Sequence, residues 1–146
     1  MCKLIVEYSE GYVGEPLAFA HSTDACFDFY NNEPEPITLQ PLERHAFATG
    51  VKVEFPEGYV LTIHPRSGNA LKKGIGMLNS EGIIDQGYRG EIKAILFNGS
   101  NETITINPGD KIAQGRLEQL VPTEIVAGKV DENTDRGANG FGSTGM

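Results

Sequence analysis

The sequence of 146 residues has the length of one ordinary domain, and its 39% of hydrophobic residues excludes a disordered or fibrous chain. Its net charge of −8 opposes general binding to a nucleic-acid backbone or to an anionic membrane surface. No apolar run reaches the roughly 18 residues of a membrane-spanning helix, and the first residues lack a secretory pattern, so we expect a soluble, cytoplasmic protein.

Short segments rich in β-branched, apolar and aromatic residues predict seven strands. These segments are residues 3–8, 37–39, 45–55, 59–64, 91–97, 103–106 and 111–121. The chain also holds 18 Gly and 8 Pro, which favour turns between short strands over long helices. One brief helix is predicted around residues 67–73. The pattern indicates an all-β fold of the sandwich, jelly-roll or barrel type.

The end of the chain differs from the rest in composition. Residues 131–146 are rich in Gly and hold almost no apolar side chains apart from Phe141 and Met146, so they cannot bury themselves. We predict a single β domain over residues 1–130, followed by a mobile tail that closes over another part of the molecule. Residues 140–145 have the glycine density of a phosphate-binding loop, but no helix follows them. Backbone amides there can nest an anion, and a plain flexible tail remains the alternative.

Histidine and cysteine residues do not form a recognisable metal or redox motif. His21, His45 and His64 are too widely spaced, and lack the companions, for a spacing-defined zinc site. Cys2 and Cys26 are too few for a disulfide scaffold. We predict surface or packing roles for the histidines and assign no role to the cysteines.

The distribution of charge indicates where an anionic ligand would bind. Residues 1–57 carry ten acidic and only three basic side chains, so contacts with an anion are expected from residues 58–146. At residues 65–70 a predicted strand ends and the predicted helix begins. Arg66 offers a bidentate guanidinium there, Ser67 a hydroxyl, and Gly68 an open backbone, which together suit an anion pocket. An ordinary N-capped turn is the alternative.

Two further segments place polar residues among apolar ones. Residues 79–91 predict a hairpin in which Asp85 follows two isoleucines, at the rim of a buried strand where a carboxylate can act as a base. A turn-forming Asp is the alternative. Residues 108–114 predict a turn that enters a strand, with Gln114 on an otherwise apolar segment.

Taken together, the polar segments resemble a known family. In order along the chain they are similar to the five motifs of the deoxyuridine triphosphatases (dUTPases), at residues 24–29, 65–70, 82–91, 108–114 and 136–145. The resemblance covers nearly the whole chain. It implies a jelly-roll-like β subunit, a homotrimer with active sites between subunits, and hydrolysis of dUTP to dUMP and pyrophosphate with Mg²⁺. This reaction limits uracil in DNA and supplies dUMP.

The resemblance also implies which residues bind the nucleoside and which perform the chemistry. Asp85 would deprotonate the water that attacks the α-phosphorus, and Asp28 would hold Mg²⁺ through metal-bound water. Tyr88 would pack on the deoxyribose and exclude a 2′-hydroxyl. The residues that would read the uracil edge are Asn79 and the backbone of Gly82, Ile83 and Ile84.

Further residues are implied as ligands of the triphosphate and as a cover for the base. In the body of the chain the phosphate ligands would be Arg66, Ser67, Gly68 and Gln114. In the tail, Arg136 would clamp the γ-phosphate and Phe141 would cover the uracil. The last phosphate ligands would be Gly142, Ser143 and Thr144.

Three positions depart from the family's pattern. Cys26 stands where the family commonly has Gly, Asn69 where it has an apolar residue, and Lys111 where it usually has Arg. Lys keeps the charge of Arg but loses the planar fork, so an ion pair that the family makes with that Arg is expected to differ here.

Two other functions fit parts of the pattern. A deoxycytidine triphosphate deaminase would share the fold and the triphosphate contacts, but Asp85 beside Tyr88 and the complete tail at residues 141–144 favour the triphosphatase. A nucleotide-sensing protein-interaction module is the alternative without catalysis. Loss of Asp85 would have favoured it, and Asp85 is present.

Overall fold

The computed structural model describes residues 1–142, 144 and 145, and within them it has eleven strands and one short helix. The strands are β1 (Ile5–Tyr8), β2 (Phe27–Tyr30), β3 (Ile37–Leu39), β4 (Arg44–Ala48), β5 (Val51–Glu54), β6 (Tyr59–His64), β7 (Ile75–Met77), β8 (Gly82–Ile84), β9 (Lys93–Asn98), β10 (Ile104–Ile106) and β11 (Lys111–Gln119). The helix, α1 (Ser67–Lys73), follows β6. The predicted all-β class is therefore confirmed.

All strand pairs are antiparallel, and the strands form four sheets around one core. The largest sheet has the order β2-β11-β6-β8, a second has the order β4-β9-β7, and two small sheets pair β1 with β5 and β10 with β3. Strands from all four sheets contribute to the core, whose fully buried side chains include Phe29, Phe47, Leu61, Ile92 and Leu96. Burial of this apolar surface is the main force that stabilises the fold.

The largest sheet carries five of the predicted site residues, namely Asp28, Gly82, Ile83, Ile84 and Gln114, so its construction matters here. β6 is paired on both sides, and four consecutive residues in it are buried, which suits its run of apolar and β-branched residues. Next to it, Gly115 of β11 allows a close approach: a Cβ at this position would lie 2.6 Å from the ring of Phe29 on β2.

One predicted strand is wrong, because residues 45–55 form two strands that belong to different sheets. The break falls at Thr49 and Gly50. The Thr49 hydroxyl donates to the Ile92 carbonyl at 2.6 Å, and Gly50 has a φ of +67°, which favours glycine. An apolar run predicts extended chain, but it does not show where the chain changes sheet.

The predicted hairpin at residues 79–91 is also wrong. Its first arm, β8, pairs with β6, whereas the chain after it leads into β9, which pairs with β4 and β7. The two arms therefore diverge between sheets, and a turn at Asp85–Tyr88 joins them, closed by a 3.0 Å bond from the Tyr88 amide to the Asp85 carbonyl. β2 and β7 are further strands that the sequence pattern missed.

The last part of the chain has little contact with the sheets. Every described residue after β11 is exposed, and the last backbone bond to the body joins the Leu120 amide to the Gly58 carbonyl at 2.8 Å. The described part of the predicted tail, residues 131–142, 144 and 145, lies within this exposed segment. Among the described residues, no helix has the length and apolar character needed to cross a membrane.

Candidate active site

A polar cleft lies where β2, β11 and the end of β6 meet, and it is called here the Asp28 cleft. Asp28 of β2 is the register partner of Gln114 on β11, which is in turn the partner of His64 on β6. Arg66 follows β6 directly, so the topology brings three segments that are distant in sequence to one place. The cleft has a volume of about 410 Å³, and its lining includes Asp28, Arg66, Lys111 and Gln114.

Asp28 is the centre of an ion-pair cluster in this cleft. Its Oδ1 accepts a hydrogen bond from Arg66 Nε at 2.9 Å, and its Oδ2 lies 2.9 Å from Lys111 Nζ. Through the hydrogen bond first and its charge second, the Asp28 carboxylate raises the pKa of Lys111 above its ordinary value. Lys111 therefore forms an ion pair with Asp28 through a point charge, without the fork that Arg would supply.

The backbone around the Asp28 cleft is held by two side-chain amides. Gln114 Nε2 donates to the Pro65 carbonyl at 2.9 Å, and Asn69 Nδ2 donates to the Lys111 carbonyl at 3.0 Å. The Asn69 bond connects α1 to the start of β11, so two of the three positions that depart from the family's pattern contact one another. Cys26, the third, lines the same cleft, and burial raises the pKa of its thiol.

Ser67 and Gly68 form the exposed first turn of α1, directly after Arg66. No described side chain caps this helix, and Arg66 at its N-cap position has extended backbone angles. A Cβ at Gly68 would meet nothing within 4 Å. The backbone at Gly68 is therefore open to an approaching ligand.

A second cavity lies beyond β8 and is called here the Asp85 pocket. It has a volume of about 380 Å³ and mixes apolar walls with charged residues. Its lining comprises Ala46, Ile83, Ile84, Asp85, Tyr88, Glu91, Ile92, Lys93 and Ile95. Asp85 is exposed, and it belongs to none of the ion pairs found among the described residues.

Tyr88 is 44% exposed and lines the Asp85 pocket. Its hydroxyl donates to the Glu91 carbonyl at 2.9 Å, which folds the ring back across the loop. Glu91 is a residue that the sequence reasoning missed: its Oε1 accepts the Gly50 amide at 2.8 Å and ties this loop to the start of β5. The sequence signal that could have indicated Glu91 is a charged residue just before the apolar segment that forms β9.

The predicted base-reading residues lie at the end of the large sheet. β8 is the last strand in the order β2-β11-β6-β8, so one of its edges has no strand partner among the described residues. A free edge offers alternating N–H and C=O groups. Asn79 precedes it, and a Cβ placed on Gly82 would lie 3.6 Å from Asn79 Nδ2, so the Asn79 amide lies beside β8.

The Asp28 cleft and the Asp85 pocket are separated within one chain. Ile84, next to Asp85, is the register partner of Leu61, whereas Arg66 lies five residues farther along the chain that continues β6. At about 3.3 Å per residue, roughly 16 Å of extended chain separates the two positions. Asp85 continues β8 away from Arg66, which adds to this distance.

The described residues of the tail line neither cavity. Phe141 is fully exposed, and Arg136 Nε donates to the Asn139 carbonyl of its own turn at 3.1 Å. Gly142 and Thr144 are also exposed, and no described tail residue lines the Asp28 cleft or the Asp85 pocket. Ser143 lies outside the described residues.

His64 belongs to a separate group of possible metal-ligating side chains, although the spacing of the histidines in the sequence indicated no metal site. Ligand atoms of His64, Glu81 and Glu118 lie within 4.8 Å of one another. Glu118 is already paired with Arg116, and His64 Nε2 lies 2.8 Å from the Thr62 hydroxyl. Sequence spacing misses this group because its members come from three separate segments of the chain.

Comparison with known proteins supports the resemblance over most of the chain. The family model described as dUTPase matches residues 16–145. A deoxyuridine 5′-triphosphate nucleotidohydrolase of Clostridium novyi is 42% identical over 99% of both chains. The Hydrogenobaculum protein of the same name is 49% identical over 75% of this chain and 76% of its own.

Solved structures are similar to this chain as well. A dUTPase of Staphylococcus bacteriophage 80alpha, solved with dUPNHPP, superposes with a TM-score of 0.86 at 27% identity over 99% of both chains. A variant of the phage phi11 dUTPase of S. aureus, described with a structural Mg(II) ion, gives a TM-score of 0.78 at 26% identity over 89% of this chain and 99% of its own. These neighbours confirm the jelly-roll-like fold, and with the family match they show that the chain belongs to the dUTPase family.

Proposed function

We propose that this protein is a dUTP diphosphatase, which hydrolyses dUTP to dUMP and pyrophosphate. The observation that carries the proposal is the family match over residues 16–145. Two cavities support it, because one is lined by Asp28, Arg66 and Gln114 and the other by Asp85, Tyr88 and the end of β8. One cavity offers cations around a carboxylate, and the other offers an exposed carboxylate beside an aromatic ring and a free strand edge. These features suit the phosphate end and the nucleoside end of the substrate, respectively.

Asp85 is the proposed general base. It follows β8, the strand whose free edge is proposed to read the base, so a nucleotide bound there would bring its α-phosphorus near this carboxylate. Asp85 is exposed and lies outside the ion pairs of the described residues, so it can accept a proton from an attacking water. Attack in line on the α-phosphorus would then release pyrophosphate.

The base and the sugar are proposed to bind along β8 and against Tyr88. The free edge of β8 at Gly82, Ile83 and Ile84, with the Asn79 amide beside it, supplies the N–H and C=O groups that a uracil edge requires. Cytosine presents an amino group where uracil has a carbonyl, so its donor would meet the site's donor in a desolvated pocket. The Tyr88 ring would exclude a 2′-hydroxyl by contact.

The triphosphate is proposed to bind at the Asp28 cleft, where Arg66, Ser67, Gly68 and Gln114 would contact it. Both oxygens of Asp28 already bind cations, so this carboxylate fits an outer contact with metal-bound water better than direct ligation of Mg²⁺. When bound with the triphosphate, Mg²⁺ would neutralise part of its charge. Arg66 and Lys111 are the chain's own contributions to that neutralisation.

A homotrimer with sites between subunits is proposed as the assembly. Two observations support it. The Asp85 pocket and the Asp28 cleft lie too far apart in one chain to contact one phosphate. In addition, the segment after β11 holds apolar side chains that the described residues leave exposed, namely Leu120, Val121, Ile125, Val126 and Val130.

Mixed assemblies test this arrangement directly. Asp85→Asn and Arg66→Ala subunits are each expected to have strongly reduced activity alone. Their co-expression is expected to restore activity, because a site takes Asp85 from one copy and the cleft from another. Random mixing regenerates about one quarter of the sites. Light scattering on each variant serves as the control for assembly. Mixed assemblies that stay inactive would contradict sites shared between copies.

Residues 131–146 are proposed to act as a tail that closes over the bound nucleotide. Arg136 would contact the γ-phosphate and Phe141 would cover the uracil, with Gly142, Ser143 and Thr144 around the terminal phosphates. The exposure of Arg136 and Phe141 supports a segment whose ordering energy comes from the ligand. Closure would also exclude bulk water from the reacting phosphorus.

One substrate panel tests the proposed function. We expect pyrophosphate release from dUTP and far slower release from dCTP, dTTP and UTP, with no ammonia from any of them. Ammonia from dCTP would identify a deaminase. Binding of dUTP without turnover would identify a sensing module instead.

A further inference from the structure

The loop that carries Tyr88 is bonded at several points. The Tyr88 amide donates to the Asp85 carbonyl at 3.0 Å, and the Tyr88 hydroxyl donates to the Glu91 carbonyl at 2.9 Å. The acceptor is itself anchored, because the Glu91 carboxylate binds the Gly50 amide and the next amide, that of Ile92, donates to the Val51 carbonyl at 2.8 Å. The ring is therefore connected to the buried start of β5.

Gly90 lies directly beneath this ring. A Cβ built at Gly90 would lie 2.4 Å from the Tyr88 hydroxyl oxygen, 2.6 Å from Cζ and 3.0 Å from Cε2. Gly90 does not have a positive φ, so its backbone does not require glycine. Gly87, in the same loop and also without a positive φ, would place its Cβ within 4 Å of nothing. The need for glycine at position 90 thus comes from the Tyr88 ring.

We propose that Gly90 is a positioning residue that sets discrimination between deoxyribose and ribose, by leaving the space in which the Tyr88 ring is seated. The inference rests on the proposed function, in which Tyr88 contacts the sugar. The Tyr88 ring can exclude a 2′-hydroxyl only if the ring cannot move away from that hydroxyl. The ring occupies the space that a side chain at Gly90 would need, and in this position its hydroxyl reaches the Glu91 carbonyl.

The physical effect of a side chain at position 90 follows from the distances. The new methyl group would displace the ring, break the bond from the hydroxyl to the Glu91 carbonyl, and leave the aromatic wall free to turn. A steric contact with one small group, such as a 2′-hydroxyl, changes kcat/KM between two substrates by about 10- to 100-fold. Gly90→Ala is therefore expected to lower the ratio of kcat/KM for dUTP over UTP by about 10-fold or more.

The experiment measures this ratio for the full-length wild type, Gly90→Ala, Tyr88→Phe, Tyr88→Ala and the matched control Gly87→Ala. We expect the ratio to fall strongly in Gly90→Ala and Tyr88→Ala, and several-fold in Tyr88→Phe, which removes one hydrogen bond but keeps the ring. Gly87→Ala should retain the wild-type ratio. A loss of stability alone would not change a ratio measured on one preparation.

The outcomes separate the inference from the proposed function. An unchanged ratio in Gly90→Ala, with a lowered ratio in Tyr88→Ala, overturns the role of Gly90 alone. An unchanged ratio in Tyr88→Ala overturns the sugar contact, and a wild type that does not hydrolyse dUTP overturns the proposed function. If Gly90→Ala does not fold, Tyr88→Phe tests whether the position of the ring matters. An unchanged ratio in Tyr88→Phe would show that the bond to the Glu91 carbonyl does not hold the ring, and it would overturn the inference.

Discussion

The Asp28 cleft and the Asp85 pocket are organised by different forces. In the cleft, Asp28 binds Arg66 and Lys111, and every one of these polar groups has a partner before a ligand arrives. In the pocket, Asp85 belongs to no ion pair of the described residues. Four of the nine residues that line the pocket are isoleucine, and the Tyr88 ring occupies the space that a side chain at Gly90 would need. Ion pairs therefore organise the polar side chains of the Asp28 cleft, whereas packing of apolar and aromatic side chains determines the shape of the Asp85 pocket.

This difference matches the two ends of a nucleotide. A triphosphate requires fixed cations that do not need to reorganise on binding, whereas a base and a sugar are distinguished by contact and by the pattern of donors and acceptors. It also explains how a chain of net charge −8 can take an anionic substrate. Under the proposed function the cations that would bind it are local. Arg66 and Lys111 both belong to residues 58–146, the part of the chain from which the charge distribution predicts contacts with an anion.

The largest expected effect tests Asp85 as the reacting group of the pocket. Asp85→Asn keeps the shape of the side chain but removes the base, so kcat should fall by about 10²- to 10⁴-fold while binding of dUTP persists. Single-turnover kinetics and a binding isotherm measure the two separately. Glu57→Gln, an exposed carboxylate in a turn away from both cavities, is the control, and a kcat within a few-fold of wild type would assign the base elsewhere.

Deletion of the tail tests whether the Asp28 cleft and the Asp85 pocket must both be closed by the same segment for activity. Deletion of residues 135–146 should lower kcat/KM by about 10²-fold, because closure orders the substrate and excludes water. The melting temperature of the unliganded protein should hardly change, since the described part of this segment is exposed. Near wild-type kcat/KM in the truncated protein would contradict the closure mechanism.

The ion pair of Lys111 tests the charge side of the comparison. Lys111→Met should lower the free energy of unfolding by about 0.5–1 kcal/mol, because the pair is partly exposed. Since Asp28 raises the pKa of Lys111, this contribution is present below the ordinary lysine pKa and is lost as pH rises through the raised value. Urea unfolding at low and high salt, and at neutral and alkaline pH, measures it.

Lys52→Met is the matched control for Lys111, since Lys52 makes an exposed pair with Glu7 at 3.3 Å outside both cavities. Lys52→Met should lower the free energy of unfolding by less than Lys111→Met does, and it should leave dUTP turnover unchanged. If the effect of Lys111→Met does not decrease with added salt, the contribution of Lys111 comes from the packing of its alkyl chain and not from charge.

The smallest expected effect concerns Gly68. Ala at this position has room for its Cβ and reduces the freedom of the unfolded chain, so Gly68→Ala should raise the free energy of unfolding by about 0.4–1 kcal/mol. The same methyl group would narrow the approach to the backbone and weaken binding of dUTP. Urea unfolding measures the expected gain in stability, and a binding isotherm measures the expected loss of affinity for dUTP. A gain in stability with unchanged binding would remove Gly68 from the phosphate contacts.

Several features of this protein could be predicted from the sequence because they depend on local patterns. The alternation of apolar residues and the turn residues predicted an all-β fold, and the helix at residues 67–73 was predicted at its observed bounds. The order of five short polar segments identified the family, since each segment keeps its residue types close together in the chain. Local spacing also placed Asp85 next to Tyr88 in one loop.

Tertiary structure decided which of these segments meet. The chain after β8 passes to another sheet, so residues 79–91 form no hairpin, and the Asp85 pocket lies apart from the Asp28 cleft. The pairing of Asp28 with Lys111 and the contact of Asn69 with the Lys111 carbonyl join residues 42 to 83 positions apart in sequence. Long-range strand register sets such contacts, and register depends on how all the sheets pack around one core.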